Sequence, residues 1–129
     1  MRQVDVYLRR YGWQVTVLMD VTCDDALDVA AILVAIGADR GFITRAQDET
    51  MNCPGNVGIA YSNPETRETV IAIGRSQDAG EVLNTACHEN MHAAMHIAEA
   101  FGLDPFGEAP CYIGGTLMQR EAETLLNLV

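Results

Sequence analysis

The run His88-Glu89-Asn90-Met91-His92 sets two imidazoles four residues apart, with a carboxylate beside the first. On a helix, residues i and i+4 stand one turn apart on one face, so both rings can reach a single tetrahedral metal ion. A glutamate next to the first histidine then faces the ion's open position. There it can take a proton from water and later pass it to a leaving amine. The chemistry expected of this HExxH pattern is zinc-assisted hydrolysis, with His88 and His92 as ligands and Glu89 as general base.

The flanking residues support a site on a helix. Between Ala79 and Gly102 there is neither lysine nor arginine. Glu81, Thr85, His88, Glu89, His92, His96 and Glu99 recur at helical intervals and form one polar stripe, which holds all three histidines of the chain. An ordinary solvent-facing stripe would usually carry basic residues too.

A zinc ion that keeps one position for water needs a third protein ligand. His96 stands ~12 Å along the axis from His88 at 1.5 Å per residue, too far to share an ion bound at ~2.1 Å. Glu99 has the same difficulty, about 10 Å beyond His92. Met95 and Ala98 occupy the positions where HExxHxxGxxH would need glycine and histidine. Asp104, before Pro105, suits local backbone bonding. Glu108 fits best: seven extended residues reach ~23 Å, more than the ~12 Å from the helix end back to His92.

These residues need elements to hold them. Tyr11 to Val21 reads as a strand, rich in β-branched and aromatic residues. Asp24 or Asp25 can cap a helix running to about Ile36 and ended by Gly37. Gly41-Phe42-Ile43-Thr44 suggests a short strand, and Cys53-Pro54-Gly55-Asn56 a turn. Val57 to Tyr61 and Thr69 to Ile73 form a hairpin about a polar turn. A long helix starts after Ser76 or Asp78, spans about Ala79 to Ala100, and is broken at 101–107. A last helix runs from about Glu108 towards Leu126, its first half weakened by Gly114 and Gly115. The expectation is an α+β fold of order β-α-β-β-α-α, with a small, mostly antiparallel sheet of about three strands on three helices. The 129 residues suffice for one domain, 1–129. The tail Leu125-Leu126-Asn127-Leu128-Val129 packs internally or forms a dimer contact.

The net charge is −10, and all eight basic residues are arginine. Such a chain repels phosphate backbones, so no nucleic-acid partner is expected. No apolar run reaches the ~18 residues of a membrane span, and residues 1–5 open no apolar signal core. Cys23, Cys53, Cys87 and Cys111 form no CxxC pair. They are expected to be reduced thiols of a cytoplasmic protein, with Cys87 and Cys111 buried as small hydrophobes.

The stretch Asn84 to His92, then Gly107-Glu108-Ala109-Pro110-Cys111-Tyr112-Ile113-Gly114, resembles a group of small zincin-like proteins of bacterial mobile elements and bacteriophages. Asn56 to Asn63 and Arg67-Glu68-Thr69 resemble that group as well. The resemblance implies a minimal zincin-like domain with His88, His92 and Glu108 on the metal and Glu89 as base, a gluzincin-like set. Cys111 departs from the alanine more usual there. Tyr112, one turn after Glu108, either donates to a developing oxyanion or packs against Glu108.

The expected activity is that of a zinc metallopeptidase, with a peptide or protein as substrate. Two other readings stay open. One is a non-enzymatic metal-binding structural or interaction protein of a phage or mobile element. The other is a different ion, since two histidines and a carboxylate also suit Fe(II).

Overall fold

A computed structural model describes residues 1–53 and 57–128. Strands β1 (Arg2–Leu8) and β2 (Trp13–Val21) pair antiparallel, with Val6 opposite Val15. A 3-10 turn at Cys23–Asp25 leads into helices α1 (Ala26–Ala35) and α2 (Arg40–Met51). Strands β3 (Gly58–Asn63) and β4 (Glu68–Gly74) follow, then α3 (Ala79–Ala100) and α4 (Glu108–Leu128). The sheet order is β1-β2-β4-β3, so β4 lies between β2 and β3. It runs parallel to β2 and antiparallel to β3.

The central strands are covered on both faces, and strand alternation sorts their side chains into two cores. One face joins Trp13, Val15, Val17, Ile71 and Ile73 to Ala86, Ala93 and Ile97 of α3 and Leu117 of α4. The other joins Leu18, Val70 and Ala72 to Val29 and Leu33 of α1 and Ala46 of α2. Each fully buried Ile or Leu contributes about 1.5–3 kcal/mol by leaving water. On β3 the same alternation turns Gly58 and Ser62 towards α3, against Thr85 and His96 respectively.

The coarse α+β class holds, with a mixed sheet of four strands and four α-helices rather than three of each. The unforeseen strand is β1, where Val6 and Leu8 are buried and Tyr7 is exposed. Residues 41–44 are helical rather than extended. Asp39 accepts from Phe42 N at 2.8 Å, and burial of Ala46 and Thr50 one turn apart outweighs the β-branched Ile43 and Thr44. Gly114 and Gly115 do not interrupt α4. The turn expected at 53–56 lies outside the described residues beyond Cys53, as does Val129 in the expected tail contact; Leu125 is buried and Leu126 exposed.

The expectation of reduced thiols is corrected. Cys23 and Cys53 are disulfide-bonded with α-carbons 5.1 Å apart, because α2 folds back to bring its end beside the 3-10 turn. Cys87 and Cys111 are free but exposed, not buried, since neither faces the two cores. Among the described residues, no helix is long and apolar enough to cross a membrane.

Candidate metal centre

Helix α3 is defined at its start by Asp78, whose side chain accepts from Glu81 N, and by Ser76, whose hydroxyl donates to the Glu81 carboxylate. Its polar stripe runs beside the outer strand β3. There His88 Nε2 and His92 Nε2 lie 3.1 Å apart, with ring centroids separated by 4.7 Å. Neutral rings at that distance share one N–H···N hydrogen bond. Two nitrogens held at ~2.1 Å by one tetrahedral ion would stand ~3.4 Å apart, so the pair also fits a metal. Glu89 Oε1 is 3.6 Å from His88 Nε2.

His88, Glu89 and His92 offer ligand atoms all within 4.8 Å of one another, and among the described residues no other group of three or more does so. The members differ in exposure: the His88 side chain is 63% exposed, that of Glu89 6%. Burial holds the Glu89 carboxyl above its ordinary range; the two histidines oppose this, and Glu49 of α2 adds a repulsion in the same direction as burial. A carboxylate that holds a proton more readily suits a general base. A cavity of about 410 Å³ opens beside His88 and Glu89, bordered by Gly58, Thr85, Arg75 and Ser76.

The expected third ligand is not brought to this cluster. Glu108 lines a separate depression with Arg10, Tyr11, Phe101 and Tyr112. Tyr112 is 70% exposed and also borders Tyr7 and Arg9. The cause is the side of α3 on which α4 docks. Asn90 bonds Glu121, and Gly114 approaches Ala94. At 100° per residue Asn90 and Ala94 lie ~200–240° around the helix from His88. The chain doubles back as expected, but it carries Glu108 and Tyr112 to the far flank. Asp104 keeps its local role, accepting from Phe106 N at 2.9 Å.

His96 belongs to a hydrogen-bonded chain that runs into the core. Trp13 Nε1 donates to Thr69 Oγ1 at 2.8 Å, Thr69 and Ser62 hydroxyls share a proton at 2.8 Å, and Ser62 Oγ meets His96 Nδ1 at 2.8 Å. An indole only donates, so Thr69 Oγ1 accepts from Trp13 and still has a proton and a second lone pair for its contact with Ser62. Burial first, then the neighbouring His92, lowers the His96 pKa, against the pull of Glu99. Sequence reasoning missed Ser62, Thr69 and Gly58. Ser62 and Thr69 face each other across the hairpin, a pairing the register reveals and spacing alone does not.

No family model, curated protein or solved structure matches the chain. The zincin-like likeness therefore rests on the chain's own residues.

Proposed function

We propose that the protein is a zinc-dependent hydrolase acting on peptides. The observation that carries this reading is the convergence of His88 Nε2, His92 Nε2 and the Glu89 carboxylate, with His88 and Glu89 lining an open cavity. His88 and His92 would hold the ion through Nε2; Glu108 does not reach it, so its other positions would be open to water and substrate. When bound, zinc supplies a Lewis acid for the scissile carbonyl and an acidified water. Glu89, which lines the cavity with His88, would take a proton from water on its carboxylate and return it to the departing amine. Strand β3 supports a peptide as substrate: it is the outer strand, pairs with β4 on one side, and runs along the histidine stripe, so an extended chain can add to it.

A second reading has its own observation. The acid within the three-residue group is Glu89 itself. If Glu89 ligates the ion, no base remains, and the protein binds metal without hydrolysis.

One variant separates the two. Glu89→Gln of a catalytic glutamate keeps zinc, measured by elemental analysis after dialysis, and abolishes cleavage of a peptide library by the zinc-loaded protein. Loss of zinc in Glu89→Gln favours the ligand role. Full activity in that variant, or no zinc uptake by the wild-type protein, overturns the hydrolase.

A further inference from the structure

Beside the histidine pair, one turn further along α3, lies a second depression of about 550 Å³. Phe42 of α2 and Tyr61 of β3 wall it, with ring centroids 4.7 Å apart and planes tilted by 57°. Pro64 and Ala100 add apolar surface, His96 and Ser62 border it on the side of the sheet, and Glu99 stands exposed at its rim.

One carboxylate gives this space a charge preference. Glu99 is the only charged side chain among the described residues that line it. His96 also lines the space, with its Nδ1 turned to the Ser62 hydroxyl at 2.8 Å. The depression therefore combines aromatic faces, apolar walls and one carboxylate. A lysine or arginine side chain has the complementary form, an alkyl stem that packs on apolar surface and a cationic head. The Arg45 guanidinium, 5.4 Å from the Phe42 ring centroid, already places one basic side chain against this ring. The net charge of −10 attracts the same ligands at long range.

We infer that this depression is a binding pocket for a basic side chain of a peptide, with Phe42 and Tyr61 against its stem and Glu99 on its head. With ring centroids of His96 and His92 only 6.2 Å apart, an occupant sits next to the metal centre. As the residue preference of a hydrolase, the pocket rests on the function proposed above; as a binding site, it does not.

The test is calorimetric titration with acetylated Ala-Ala-Xaa-Ala-Ala amides in which Xaa is arginine, norleucine or glutamate. It is run first on chelator-treated protein, so that no cleavage intervenes, and then on zinc-loaded protein. The arginine peptide should bind about tenfold more tightly than the norleucine peptide, and the glutamate peptide most weakly. Glu99→Gln, an exposed helical position, should remove the arginine preference while leaving norleucine binding unchanged. Equal binding of arginine and norleucine peptides, or an arginine preference that survives in Glu99→Gln, overturns the pocket. The His88→Ala/His92→Ala variant distinguishes this failure from failure of the hydrolase. Arginine preference should persist there although zinc binding is gone, and its loss would count against an independent pocket.

Discussion

Asn90 donates its side-chain amide to Glu121 across the contact between α3 and α4, Nδ2 to Oε1 at 3.0 Å. Both residues are buried, and the two remaining oxygens, Asn90 Oδ1 and Glu121 Oε2, have no other partner. A proton on Glu121 spares the protein a buried, half-satisfied charge at that carboxyl. Burial pushes the Glu121 carboxyl from its ordinary 4.5 up to about 7, against the lowering effect of the Asn90 hydrogen bond. Asn90 sits between the two histidines, so this pair ties α4 directly to the turn that carries them.

The first prediction follows from the sign of that shift. The folded-state pKa is raised, so the contribution of Glu121 is fully present below about pH 4.5 and is lost as pH rises through about 7. The loss approaches about 3 kcal/mol at alkaline pH. Glu121→Gln keeps a neutral side chain at every pH. Urea unfolding at pH 5 and pH 9 should show the variant gaining about 2.5 kcal/mol on the wild type between the two. A difference independent of pH would mean that Glu121 is ionised in the folded protein throughout.

Gly58 is the close approach that gives Glu89 its space. A Cβ there would stand 3.1 Å from Thr85 Cγ2 and 3.7 Å from Glu89 Oε1. Thr85 can yield a few tenths of an ångström to Gly58→Ala, whereas the branched Gly58→Val must displace the carboxylate. Gly58→Val is expected to retain zinc, since neither histidine is touched, and to lower kcat on a cleaved peptide by about 100-fold. Wild-type kcat in that variant would show that the position of Glu89 does not control turnover.

The Cys23–Cys53 bridge closes a loop with a sequence separation of 30. In the chain-entropy account, such a loop is worth about 3–4 kcal/mol. Alkylation of denatured, unreduced protein should therefore modify Cys87 and Cys111 only, as peptide mass mapping would read. Cys23→Ser/Cys53→Ser should lose stability by that amount. Four modified cysteines would refute the bridge.

Helix α3 was legible because several signals agreed: the Asp78 cap, the helical period of the stripe, and the break at 101–107. The hairpin was legible for the same reason, with apolar strands on either side of a polar turn. Strand β1 had a readable alternation in Val4, Val6 and Leu8, yet it becomes a strand only through pairing with β2. Helix α2 was obscured by local propensity, since Ile43 and Thr44 are better strand formers and the burial of Ala46 is a tertiary fact. The location of Glu108 shows a different limit. Chain length bounds how far a residue can travel, but the side on which α4 docks depends on the fit of Gly114 to Ala94 and of Glu121 to Asn90. Neither contact leaves a mark in spacing.

The last prediction concerns the chain of hydroxyls behind His96. Thr69 is buried, and its Oγ1 is the acceptor of the fully buried Trp13 indole N–H. Thr69→Val preserves shape and β-branching but removes the acceptor, leaving an unpaired donor in the core at a cost of about 1–3 kcal/mol. Trp13→Phe removes the donor instead and pays mainly for the cavity left by the larger ring. If the two side chains act through their hydrogen bond, Thr69→Val should cost less in the Trp13→Phe background than in the wild type. Urea unfolding of the two single variants and the double variant closes the cycle, with an expected coupling of about 1 kcal/mol or more. Strict additivity would mean that the indole finds another partner. The hydrogen-bonded chain from Trp13 to His96 would then lose its innermost link.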